Sequence, residues 1–135
     1  MKPKTMRRVY LREAAICLIL ARLAVRTIPS AAIFVWADRP PRRIRRFAVD
    51  EVEWVLWAVD HLAAQRSINA LCLPRALAVH AMLRRRGIAS RLCLGVAREG
   101  DTLAAHAWVA VCEDGVNVAA EDCRFTCLAA FGRSR

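Results

Sequence analysis

At Gly87 the hydrophobic pattern of this 135-residue chain changes period, from apolar residues three or four apart to apolar residues at every second position. A helical pattern does not pack as a strand, nor a strand pattern as a helix. The chain up to about residue 87 is therefore predicted helical and the remainder a small antiparallel sheet. This is an α+β fold in which a helix packs on the sheet. A chain of this size holds one hydrophobic core. We expect one compact domain overall, with a basic helical segment and linker over residues 1–46 and a core over 47–135.

Before the switch, Val9 to Thr27 reads as a helix closed by Ile28-Pro29, with one apolar face and one arginine face. Its apolar run, 14–21, is too short to span a bilayer, and neither its charged flanks nor its small residues match a cleaved signal. Residues 31–37 are apolar and read as helix or extended chain, stopped by Asp38-Arg39-Pro40-Pro41; Arg42 to Arg46 read as linker. Asp50 and Glu53 have capping-box spacing, and Val49 and Trp54 have the spacing of its hydrophobic staple. They predict a helix from Glu51 to about Ala64, with Val52, Val55, Val59 and Leu62 facing the core. His61 on that helix has no acid placed to activate it and reads as structural.

The next helix starts at Cys72–Pro74 and ends at Gly87, because proline suits a first turn and glycine the position just past a helix end. Ala76, Leu77, Val79, His80 and Leu83 form its buried stripe, and Arg84, Arg85 and Arg86 offset the negative end of its dipole. Beyond Gly87, Leu92, Leu94 and Val96 share one face of a strand, and Glu99-Gly100-Asp101 turns the chain. A second strand, Leu103 to Val111, carries His106, Trp108 and Ala110 on one face. A hairpin at Cys112 to Gly115 leads into a third strand from Val116 towards Asp122.

The net charge of +10 is unevenly placed. Residues 1–46 hold twelve Lys and Arg against Glu13 and Asp38, and the rest of the chain holds ten of each sign. Without a helix-turn-helix, zinc-finger or RNA-binding signature, this charge does not specify nucleic acid. It suits an acidic peptide, an anionic membrane surface touched peripherally by the first helix, or solubility alone. The six cysteines form no C-x-x-C pair and, with three histidines, no zinc-ligand spacing, so neither metal nor cofactor is expected. Free thiols in a reducing cytoplasm fit them best.

One cysteine stands apart. Cys72 lies at a helix start, where unpaired N–H groups and the helix dipole favour an anion, and His106 lies on a strand that can reach it. A thiol nucleophile needs a proton acceptor beside it, and the acceptor needs a third group to hold its tautomer. A turn centred on Glu113-Asp114 sets Glu121 opposite His106; one centred on Asp114-Gly115 sets Cys123 there; Asp122 faces it through a bulge or longer loop. Asp122 is the preferred third member and Glu121 the alternative.

The ordered set Cys72-Leu73-Pro74-Arg75-Ala76-Leu77, Leu83-Arg84-Arg85-Arg86-Gly87, Leu94-Gly95-Val96 and Ala105-His106-Ala107-Trp108-Val109 resembles the leader peptidase of lasso-peptide biosynthesis in its separate-chain form. That family consists of transglutaminase-like cysteine peptidases. The resemblance implies a Cys-His-Asp triad of Cys72, His106 and Asp122 that removes the leader from a ribosomally made precursor peptide. It implies a separate leader-recognition protein as partner, and an ATP-dependent cyclase acting on the freed core. Oxyanion donors are expected from the Cys72 backbone and from the side chain of Asn69 or Gln65. The readings weighed against this one are a transglutaminase-like acyltransferase and a non-enzymatic basic adaptor for an acidic peptide or nucleic acid.

Overall fold

Tyr10, Ala14, Leu18 and Ala21, spaced three and four apart, are the buried residues of α1, Lys4–Thr27. The computed structural model describes residues 4–65, 72–113, 116–117 and 126–132. α1 begins five residues earlier than expected, since the Lys and Arg residues ahead of Val9 are good helix formers. Its outer side is not an arginine face alone: Ile16, Ile19, Leu20 and Leu23 are each more than half exposed. α2, Ser30–Asp38, resolves the open choice for residues 31–37 in favour of helix, and buries Ile33 and Ala37.

α3, Val49–Ala63, corrects the expected start. Ala48 occupies the cap position and makes no side-chain bond, so Asp50 and Glu53 form no capping box and Val49 no staple. Asp50 and Glu51 lie inside the first turn, where their charge acts on the helix dipole, and Glu51 accepts from Arg45 at 2.6 Å. Trp54 packs instead on Tyr10 and Trp57, with ring centroids 5.8 and 5.1 Å away. Val52, Val55 and Val59 are fully buried as expected, while Leu62 packs at the edge of the core.

α4, Cys72–Arg85, runs through the middle of the helical layer and contacts α1, α3 and the sheet. Gly87 follows it with a φ of +73°, and a Cβ there would lie 2.5 Å from the carbonyl oxygen of Arg43. The Arg42–Arg46 linker is thus pressed against the helix end, and the Arg45 N–H donates to the Gly87 carbonyl at 3.0 Å. The three closing arginines do more than balance a dipole. Arg86 makes a two-pronged pair with Glu13 of α1 at 2.6 and 2.8 Å, and Arg85 reaches the same carboxylate at 3.2 Å. Arg84 donates to the Trp36 carbonyl at 2.7 Å and lies over the Trp36 ring.

His80, buried on α4, joins α2 to the start of the sheet. The Ala37 carbonyl can only accept, so Nε2 donates to it at 2.8 Å and Nδ1 accepts from the Ser90 hydroxyl at 2.7 Å. Burial holds this imidazole below its ordinary value, with the Ala37 bond opposing and Arg84 assisting. The folded state therefore favours the neutral ring. Its contribution to stability is complete above the unfolded value of 6.5 and is lost as pH falls through the lower folded value. Melting temperatures are expected to fall between about pH 7 and pH 5, and His80→Gln to remove that part of the slope, worth at most about 1.4 kcal/mol per pH unit. Parallel wild-type and variant curves would assign the slope elsewhere.

β1, Arg91–Glu99, is the centre of a three-stranded antiparallel sheet. It pairs with β2, Thr102–Ala110, on one side and β5, Thr126–Phe131, on the other, in the order β2-β1-β5. A two-residue turn at Gly100-Asp101, with Gly100 at a φ of +61°, joins β1 to β2. β5 was not foreseen from the sequence, and its register against β1 shifts at Leu94/Gly95. Leu92 and Leu94 of β1 pair with Val109 and Ala107 of β2, and all four join the core formed with the helices. Two short strands, β3 (Cys112–Glu113) and β4 (Val116–Asn117), pair as Cys112 with Asn117 and Glu113 with Val116. That is the register centred on residues 114 and 115. Among the described residues no helix is long and apolar enough to cross a membrane.

Candidate active site

Cys72 is the first residue of α4, so its backbone N–H is one of those that a helix leaves without an intrahelical partner. Pro74 and Ala76 behind it are buried, which fixes the first turn against the body of the protein. Cys72 itself is half-buried, with a free thiol.

His106 comes from the middle of β2, opposite Gly95 of β1. That glycine is required by its neighbours. A Cβ at position 95 would stand 2.6 Å from the Trp108 ring and closer still to the Thr126 carbonyl. The indole of Trp108 lies across the space that a side chain would occupy, and the His106 ring stacks on it, centroids 5.9 Å apart and planes at 18°. The imidazole orientation thus depends on a tryptophan, and the tryptophan on a glycine one strand away.

Cys72 and His106 line a single cavity of about 300 Å³, together with Leu56 and Asp60 of α3 and Arg75 of α4. Four consecutive β2 residues, His106 to Val109, contribute to it from both faces of the strand. The cavity therefore reaches around β2, which ends the described three-stranded sheet. Its charged wall is a pair not read from the sequence. Arg75, one helical turn from Cys72, donates to Asp60 Oδ1 at 2.5 Å. Neither residue signals the other locally, because the ion pair joins two helices. It leaves the cavity mouth polar without net charge.

The expected third members, Asp122 and Glu121, and the oxyanion candidate Asn69 lie outside the described residues. Gln65 is exposed just past the end of α3 and does not line the cavity. His61 stacks on Trp57 at 5.3 Å, in keeping with a structural role. Among the described residues no group of three or more His, Cys, Asp or Glu is placed to hold a metal ion.

A helix-borne thiol and a strand-borne imidazole on one cavity are the residue types that thiol-dependent acyl chemistry uses. The sequence profile of the transglutaminase-like superfamily matches residues 15–129, and the chain belongs to that superfamily. Its fold is of the cysteine peptidase and acyltransferase type. The match begins within α1, so the second half of α1 and all of α2 fall within the family region. Comparison with curated proteins and with solved structures returns no match.

Proposed function

We propose that this protein is a cysteine peptidase that removes the leader from a lasso-peptide precursor. The observation that carries the peptidase reading is the shared cavity of Cys72 and His106 in a chain of this superfamily. The choice of substrate rests on the ordered resemblance of residues 72–77, 83–87, 94–96 and 105–109 to the leader peptidases. In this reading His106 takes the thiol proton while the sulfur attacks the carbonyl at the leader–core junction. The tetrahedral oxyanion is held by the Cys72 N–H and by the side-chain amide of Asn69. The imidazolium then protonates the departing amine, which frees the core peptide and leaves the leader as a thioester; water, deprotonated by the same imidazole, releases it. Asp122, or Glu121 beside it, orients the ring. No cofactor takes part. A separate leader-recognition protein presents the precursor in the bacterial cytoplasm, and an ATP-dependent cyclase consumes the product.

An acyltransferase reading shares every step up to the thioester, and the superfamily includes such enzymes. Mass spectrometry of the precursor, incubated with its leader-recognition protein and this enzyme in ¹⁸O-labelled water containing a primary amine, separates the two. Cleavage at one junction with ¹⁸O in the new leader carboxylate is the expected result. An amide of the added amine as the main product would make the protein a transferase. A precursor left intact by folded enzyme and partner would overturn the substrate assignment.

A further inference from the structure

Two depressions meet on the side of the molecule formed by α1, α2 and the C-terminal half of α4, away from the Cys72 cavity. The first, of about 460 Å³, is lined by Leu20, Ala24, Ile28, Ile33, Trp36 and Leu77 and is almost wholly apolar. The second, of about 800 Å³, shares Cys17, Leu20, Trp36 and Ala81 with it and is walled by arginines at positions 42, 43, 45, 84, 85 and 86. Of these, Arg45 is paired with Glu51, and Arg85 and Arg86 share Glu13. Arg84 donates to the carbonyls of Trp36 and Pro40. Arg42 and Arg43 enter no ion pair among the described residues. The trench is thus apolar along one end and carries uncompensated positive charge along the other.

Contiguous exposed apolar surface on a folded domain marks a place where something binds, and here its shape and charge narrow the choice. A bilayer surface meets exposed apolar residues of α1, such as Ile19 and Leu23, but does not fill a concavity between two helices. A helix of about 10 Å diameter does. The arginine end calls for carboxylates next to the apolar face.

We propose that this trench docks an acidic amphipathic segment of a partner protein, its aliphatic side chains seated between α1 and α2 and its carboxylates on Arg42 and Arg43. The proposal uses no residue of the thiol cavity and stands apart from the peptidase reading.

The probe is a fluorescent synthetic peptide of about 18 residues, with leucines at helical spacing along one face and glutamates clustered at one end. It is compared with a scrambled peptide of the same composition, and binding is read by anisotropy. Saturable binding that weakens with salt is expected, with a loss of about tenfold or more in Leu20→Glu, in Arg42→Glu/Arg43→Glu and in the scrambled peptide. All three substituted positions are exposed, so the variants are expected to fold. Saturating peptide is also expected to slow alkylation of Cys17, mapped by mass spectrometry, several-fold. Equal binding of the scrambled peptide, or binding untouched by Leu20→Glu, overturns the proposal. So does tight adsorption to phosphatidylglycerol vesicles that Leu20→Glu abolishes while peptide binding persists, which would make the surface a membrane contact. Self-association in sedimentation that Leu20→Glu abolishes would place a second copy there instead.

Discussion

Under the proposed mechanism, in which the Cys72 thiol carries the covalent step, Cys72→Ala is expected to lower turnover of the precursor by at least about 10³-fold while leaving the fold intact. Cys72 lies half-buried at the cavity wall, so loss of one sulfur atom is expected to change stability by less than about 1 kcal/mol. His106→Ala is expected to fall by a similar factor. The double variant should be little worse than either single one, since thiol and imidazole act as a unit. Single-turnover rates and melting curves measured on the same preparations separate chemistry from folding. Wild-type turnover in Cys72→Ala would remove the thiol from the mechanism; additive losses in the double variant would mean that the two side chains act independently.

Glu13→Ala is expected to produce the largest loss of stability from a single polar substitution. Glu13 and Arg86 expose only 13% and 17% of their side chains, and their paired bonds fasten the middle of α1 to the end of α4. Removing the carboxylate leaves a largely buried guanidinium facing the Tyr10 ring and the Met82 carbonyl, with Arg85 close by. Breaking a fully buried pair costs roughly 3–5 kcal/mol, and the residual exposure lowers the expectation here to about 2–3 kcal/mol. Urea denaturation checks it. Replacing both partners, as Glu13→Leu with Arg86→Met, should recover most of the loss, because the penalty comes from the stranded charge. A loss below about 0.5 kcal/mol in Glu13→Ala would show the pair to behave as a surface salt bridge.

What the sequence reveals follows from which forces are local. α4 was readable at both ends, because Pro74 and Gly87 act through backbone geometry within a turn of where they stand. The period switch after Gly87 announced β1 and β2, and their connecting turn has a glycine with positive φ. β5 was missed for the opposite reason. Its six residues carry no clean alternation and pair with β1 across about thirty intervening residues, so no short-range pattern marks them. The capping box at Asp50 failed because Val49 itself enters the helix, a one-residue difference that spacing does not decide. Arg84 to Arg86 looked like ordinary helix-end charges, since their partners Glu13 and Trp36 are remote in sequence. At the site, Cys72 and His106 stood out by their placement on a helix start and a strand. Asp60 and Arg75, which complete the cavity mouth, are unremarkable until two helices bring them together.

α4 also works as a ruler. The thiol stands at its first residue and the arginine wall at its last turn, thirteen residues apart, or about 20 Å at the rise of an α-helix. A single extended chain that touched both would need at least about six residues between the two contacts. The minimum reach of any chain held at both ends is therefore written in the length of one helix.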